Sequence, residues 1–275
     1  MPAPAQNRLL AALPRGNLAR LLPVLERVQL LPGRIIHAAG EQARHLYFPV
    51  AGIVSRVYET EGGESSELSL VGNEGAVGVS LLLGGFSTPS QALVVCAGDA
   101  YRIRAASLTE ELDHFSPLLA ILLRYTQVMI AQTGQMAVCN RYHSAEQQLC
   151  RWLLSCLDRS SSNVLTITQE AIARMLGVRR ETVTVAAQTL QRAGLIHIGR
   201  GHMTILDRVG LEAEACECYG VVKREYQRLL PPASAVGGAG VQGSRDPPDL
   251  RAEEVHARHA LCGRTGTTSQ QAAVA

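Results

Sequence analysis

An α+β fold is predicted for this 275-residue chain on three observations. The first half is a run of short apolar segments punctuated by glycine. A single long helix follows, and after it two short helices across a tight turn lead into a small hairpin. The apolar segments are VQLLPG, RIIHAAGE, HLYFPVAG, IVSRVYETEGG, SSELSLVGNEG, AVGVSLLLGG, QALVVCAGD and AYRIRA, between Val28 and Ala105. Strand-length runs recurring about every ten residues with glycine at the turns predict an antiparallel sandwich or closed β-roll. Leucines at 9, 10, 13, 18, 21, 22 and 25 predict one or two short helices ahead of it.

The long helix opens at Ser116-Pro117, a capping hydroxyl followed by a proline whose missing N–H is not needed there. Leu119, Leu122, Thr126, Met129 or Ile130, Thr133, and Met136 or Ala137 approximate a heptad seam. Leu118, Ile121, Tyr125 and Val128 supply a second apolar face. A helix apolar on two sides can cover its own roll and also pair with a second copy. His143–Leu157 is amphipathic, with Leu149, Trp152, Leu153 and Cys156 inward.

Residues 168–206 carry the most specific pattern. Thr168 caps a helix whose Ile172 and Leu176 share a face, and Gly177 supplies a left-handed turn. The second helix begins with Arg179, Arg180, Glu181, Thr182 and Thr184, and turns Val183, Ala186, Ala187 and Leu190 inward. LIHI, Gly199-Arg200-Gly201 and HMTIL complete a hairpin. Steeply packed apolar helices with a polar N-terminal face on the second form a helix-turn-helix, here winged, which is a device for reading the DNA major groove.

The expected organisation is a roll with its N-terminal helices over 1–115, a dimerisation helix over 116–139, a winged helix-turn-helix over 140–230, and a disordered tail over 231–275. The tail is rich in Gly, Ala, Ser and Pro and has no periodic apolar face. The net charge of +2 is uneven: residues 1–115 hold 9 basic and 11 acidic side chains, residues 140–230 hold 12 and 9. The basic surplus accompanies the helix-turn-helix, as phosphate contact requires. Seven scattered cysteines suit a reducing compartment rather than a disulfide framework. Neither a membrane span nor a leader is expected, which places the chain in the cytoplasm.

A glycine-punctuated roll, a long helix and a winged helix-turn-helix carrying RRETV resemble the Crp–Fnr family of transcription regulators over about residues 20–228. GEQARHLYFPVAGIV and TQEAIARMLGVRRETVTVAAQTLQRAGLI carry the resemblance most specifically. It implies a homodimer whose partners are double-stranded DNA and RNA polymerase, with no membrane and no catalytic residues. Arg180 and Glu181 match the family's base-reading residues: an Arg fork suits guanine O6/N7, and a carboxylate accepts from the cytosine amino group. Thr184 and Gln188 complete the expected base-reading set. Thr168, Gln169, Arg179, Thr182, Arg200 and His202 are the expected phosphate contacts. Where relatives in the cyclic-AMP branch carry an Arg, this chain has Val185, which can touch a thymine methyl but cannot donate.

The sensor departs from the family's nucleotide pattern. Gly75 is followed by Ala76 where a Glu is expected, and Pro89-Ser90-Gln91-Ala92 stands where the phosphate-binding Arg is expected. Binding of cyclic AMP in the usual mode is therefore not expected. The effector is left open, with Gly75, Gly78 and Ser90 as candidate contacts, and no cofactor is expected. No cysteine precedes Cys96, so the N-terminal iron–sulfur cluster of oxygen-sensing relatives is absent. Cys216-Glu-Cys218 is a single close pair, short of the four ligands a structural metal needs, and no metal site is expected. His37, His45 and His114 have no spacing that supports haem, and His37, His45 and Glu67 none that supports a cupin-like catalytic metal. Two other readings remain: a DNA-binding protein that uses its roll only as a dimer scaffold, and a cyclic-nucleotide-binding regulatory subunit.

Overall fold

The computed structural model describes residues 3–112 and 116–230. His114 and the tail beyond residue 230, expected above to be disordered, lie outside the described residues. Two short helices, α1 (Arg8–Ala11) and α2 (Arg15–Leu21), precede the roll. The roll has seven strands: β1 (Glu26–Leu30), β2 (Ile35–His37), β3 (His45–Pro49), β4 (Ile53–Glu59), β5 (Ser65–Val71), β6 (Gln91–Cys96) and β7 (Gly98–Arg104). They form two antiparallel sheets, ordered β1-β7-β3 and β2-β6-β4-β5. Leu30, Val54, Val71, Val77, Ala92, Val94 and Ala100 fill the space between them.

Helix α3 (Ala105–Leu112) leads to α4 (Pro117–Tyr142), whose first turn is capped by the Ser116 hydroxyl accepting from the Leu119 N–H at 3.2 Å. Helix α5 (Ala145–Leu157) starts at a reciprocal capping box between Ser144 and Gln147. Strand β8 (Val164–Leu165), α6 (Gln169–Leu176), α7 (Arg180–Arg192), β9 (Ile196–Gly199) and β10 (His202–Ile205) build the winged helix-turn-helix, with sheet order β8-β10-β9. Helices α8 (Arg208–Glu214) and α9 (Cys218–Leu229) end the described chain.

Asn7 ties the N-terminus to the roll. Fully buried, its side-chain amide donates to the Pro49 and Gly75 carbonyls at 2.8 and 2.9 Å. Its oxygen accepts from the Leu9 and Leu10 N–H groups at 3.0 and 3.2 Å, capping α1. Leu9 and Leu10 then pack with Phe48, Leu108, Leu122 and Tyr125.

The free face of α4 differs from the expected seam by one residue. Leu122, Thr126, Met129 and Met136 are buried within the chain. The reason is α9, which runs back along α4 and holds it through Tyr226, whose hydroxyl donates to Gln132 at 3.2 Å. The stripe left open is Ala120, Leu123, Gln127, Ile130, Gly134, Ala137 and Arg141, spaced alternately by three and four residues. Leu123 and Ile130 are 49% and 69% exposed, far more than residues of a core-facing helix should be.

The roll and the DNA-binding half share one hydrophobic core. Ile53, Val57, Leu70 and Val95 pack with Leu149, Trp152, Leu153, Cys156, Ile172, Leu176 and Val183. Glu67 crosses this junction: its Oε2 accepts from the Trp152 indole N–H at 3.1 Å and from the Ser55 hydroxyl at 2.8 Å. Arg159, after α5, pairs with Glu74 of the β5 exit loop at 2.7 Å, both nearly sealed from solvent. Burial pushes the Glu67 carboxyl above the usual range, against the pull of Arg151 and its two donors. Folded Glu67 therefore holds its proton more tightly than unfolded Glu67. The stability contributed by Glu67 is fully present in acid and is lost as pH climbs from the ordinary carboxylate range through the raised value. Glu67→Gln is expected to raise the melting temperature at neutral pH, with the gain vanishing in acid. Thermal denaturation across a pH series checks this, and a pH-independent offset would contradict it.

Candidate DNA interface and sensor cavity

Helix α6 begins where the Thr168 hydroxyl accepts from the Ala171 N–H at 3.1 Å and ends at Gly177, φ +67. That left-handed turn lets α7 start three residues later, with Arg179 as its flanking residue. Val183, Ala186, Ala187 and Leu190 anchor α7 to the shared core. Its opposite face presents Arg179, Arg180, Glu181, Thr182, Val185 and Gln188 to solvent. Val185 is 57% exposed, so its methyls lie on the same surface as the charged pair.

Thr184 sits elsewhere. Half-buried, its hydroxyl donates to Gln169 Oε1 at 2.8 Å and to the Arg180 carbonyl at 3.0 Å. It fastens the first helix of the motif to the second, and Gln169 keeps its amide NH2 free of that bond. The hairpin is fixed to α7 by the Ile198 N–H donating to Gln191 Oε1 at 2.7 Å. Arg200 is exposed at its tip, whereas the His202 ring folds back over Gly199 with Nδ1 3.3 Å from the Arg200 carbonyl oxygen. Thr168, Arg179, Arg180, Thr182 and Arg200 are each exposed to solvent.

Within the roll, alternation along β4 sends Ser55 and Val57 toward α5 and Val54 and Arg56 into the interior. Arg56 meets His37, Gly78, Val79, Ser80, Ser87, Thr88 and Pro89 around a cavity of about 280 Å³. His37 Nδ1 and Ser80 Oγ are buried there without a hydrogen-bond partner. Burial lowers the pKa of His37, and desolvation likewise lowers that of Arg56. Of the three candidate effector contacts only Gly78 lines this space. Gly75 lies beneath α4, where a Cβ would strike the Tyr125 hydroxyl, and that hydroxyl donates to the Ala76 carbonyl at 3.0 Å. Ser90 is buried with its Oγ 2.9 Å from Thr88 Oγ1. Sequence reasoning missed Arg56 because it looked for a cation in the segment around Pro89, not on a strand. The inward phase of β4 was the available signal.

His45 stands beside the Tyr47 ring on β3 and lines one pocket with His37, whereas Glu67 faces Trp152. Among the described residues no helix is long and apolar enough to cross a membrane.

Two family models match the chain. The cyclic nucleotide-binding domain matches residues 27–115 and the Crp-like helix-turn-helix domain matches residues 147–214. Together they span more than half the chain and define a DNA-binding transcription regulator with a sensor domain. The chain belongs to the Crp–Fnr family of transcriptional regulators. No curated protein matches it. Among solved structures it is similar in fold to FixK2 from Bradyrhizobium japonicum, with 17% identity and TM-score 0.61 over 70% of this chain and 98% of that one. A putative crp/fnr-family regulator from Eubacterium rectale gives 20% and 0.60 over 75% and 96%. The c-di-GMP responsive regulator CLP from Xanthomonas campestris gives 18% and 0.57 over 70% and 100%.

Proposed function

We propose that the chain regulates transcription in the cytoplasm as a homodimer, reading a pseudo-palindromic promoter site with one α7 per half-site and acting on RNA polymerase from there. The observation that carries this reading is the recognition face: Arg180 and Glu181 exposed side by side at the start of α7, beside Arg179, Val185 and Gln188. An Arg fork and a carboxylate at adjacent positions suit neighbouring G·C pairs, and Val185 suits a thymine methyl. Thr168, Gln169, Arg179, Thr182 and Arg200 would hold phosphates, helped by the N-terminal dipole of α6. The open stripe of α4 supports the second copy, since its three-and-four spacing is that of a coiled-coil seam and Gly134 permits close approach. Selection from random duplexes should recover an inverted repeat with half-site centres about one helical turn apart. Recovery of a single unrepeated half-site would overturn the dimeric reading.

The cavity favours a sensor over a scaffold. A cation and two unpartnered polar atoms inside a roll are costly unless something polar or anionic completes them. The response has a short path: Arg56 faces the cavity, and its neighbours Ser55 and Val57 face Glu67 and the Trp152 core. The effector would be a small anion held by Arg56. Calorimetric titration with cyclic AMP is expected to register no binding, because neither the Gly-Glu pair nor the usual Arg is present. Micromolar affinity would overturn this reading of the pocket.

A further inference from the structure

At the far end of α4 the chain brings together three thiols and one imidazole. Cys139 and His143 lie four residues apart at its last turn, and Cys216 and Cys218 flank the start of α9. Their ligand atoms all fall within 4.8 Å of one another. Cys139 Sγ is 3.6 Å from Cys216 Sγ, and Cys218 Sγ is 3.4 Å from His143 Nδ1. The three cysteines are buried and form a cluster of their own, separate from the three large cores. The single Cys216–Cys218 pair of the sequence is thus joined by two residues about seventy-five positions away, a set of four that the sequence expectation of no metal site did not consider.

We propose that Cys139, His143, Cys216 and Cys218 bind one Zn2+ ion. With Zn–S near 2.3 Å and Zn–N near 2.0–2.1 Å, a tetrahedral site sets neighbouring sulfurs about 3.8 Å apart and sulfur from nitrogen about 3.6 Å. The two measured edges lie within a few tenths of an ångström of those values. Cysteines acting only as small apolar side chains have no reason to aim every sulfur and a ring nitrogen at one point. A disulfide would join two thiols, leaving the third and the imidazole unexplained, and would need sulfurs at about 2.05 Å. A polynuclear iron–sulfur cluster spreads its cysteines over several irons, which this tight set does not allow.

The surroundings match a ligand shell. His143 Nε2 stands 3.2 Å from the Glu217 carboxylate, which would hold its proton on Nε2 and leave Nδ1 to the metal. Gln135 Nε2 donates to Cys218 Sγ at 3.1 Å, an interaction that supports a thiolate. Loading would release to solvent the protons that the thiols still carry as Zn2+ takes their place. The ion would fasten α9 to α4 beside Ser144, where the chain turns into α5, and so set the seat of the DNA-reading half.

The test uses the full chain, purified with reductant and incubated with Zn2+ before desalting. Elemental analysis is expected to find about one zinc per chain. Co2+ in its place should give the visible bands of a tetrahedral thiolate site. Cys139→Ser and Cys218→Ser should lose both signals, and Cys96→Ser, outside the cluster, should keep them. Should the two ligand variants fail to fold by circular dichroism, alkylation of the wild type decides. Three thiols should become reactive when a chelator strips the metal. Substoichiometric zinc, full occupancy in folded ligand variants, or alkylation indifferent to chelator would each overturn the site.

Discussion

Arg180→Ala is expected to abolish sequence-specific DNA binding while leaving the fold and the oligomeric state unchanged. The side chain stands exposed at the first position of α7, with no ion-pair or hydrogen-bond partner for its guanidinium among the described residues. It therefore holds nothing in the free protein together. Its expected partner is a guanine edge, and a bidentate Arg–guanine pair discriminates by about 1–3 kcal/mol. A dimer makes that contact twice, so the loss approaches the gap between specific and non-specific binding. Weak, strongly salt-dependent binding should survive, carried by the phosphate contacts. Mobility shift on the selected repeat and on scrambled duplex, with sedimentation as a control, measures this. Undiminished preference for the repeat would remove Arg180 from the recognition set.

The second large effect is on stability. Trp152→Ala should lower the unfolding free energy by about 3–5 kcal/mol, the range for deleting a large buried aromatic side chain. Trp152 is fully buried where strands β4 and β5 meet α5, and it carries the indole N–H that serves Glu67. Trp152→Phe keeps most of the packing but strands the carboxylate with one donor fewer, at about 1–3 kcal/mol. Chemical denaturation followed by circular dichroism gives both values. A cost below that of the Phe variant for the Ala variant would show that the two halves do not share this core.

Most of the architecture was legible because it is written locally. Glycine spacing gave away the roll, and Ser116-Pro117, Thr168 and Gly177 mark helix ends through groups within one turn of themselves. The exposed face of α7 was legible for the same reason: inward Val183, Ala187 and Leu190 leave Arg180, Glu181 and Gln188 outside by periodicity alone. What could not be read depended on distant partners. α4 has two apolar faces, and only α9, some ninety residues on, decides which one is covered. The bond from Thr184 to Gln169 could not be read because it crosses the motif's turn. The thiol–imidazole cluster had a partial signal: Cys139 and His143 at helical i,i+4 spacing could have been set beside Cys-Glu-Cys as a possible four-ligand set.

Asn7 has a consequence for the order of folding. Its two donated bonds reach 42 and 68 residues along the chain, to Pro49 and to Gly75. The four-residue helix it caps is too short to persist unaided in water. Leu9 and Leu10 therefore have nothing to dock on until β3 and the loop after β5 are in place. Among the elements of the roll α1 is therefore expected to order late, since it waits on a long loop closure and has little share in the folding nucleus.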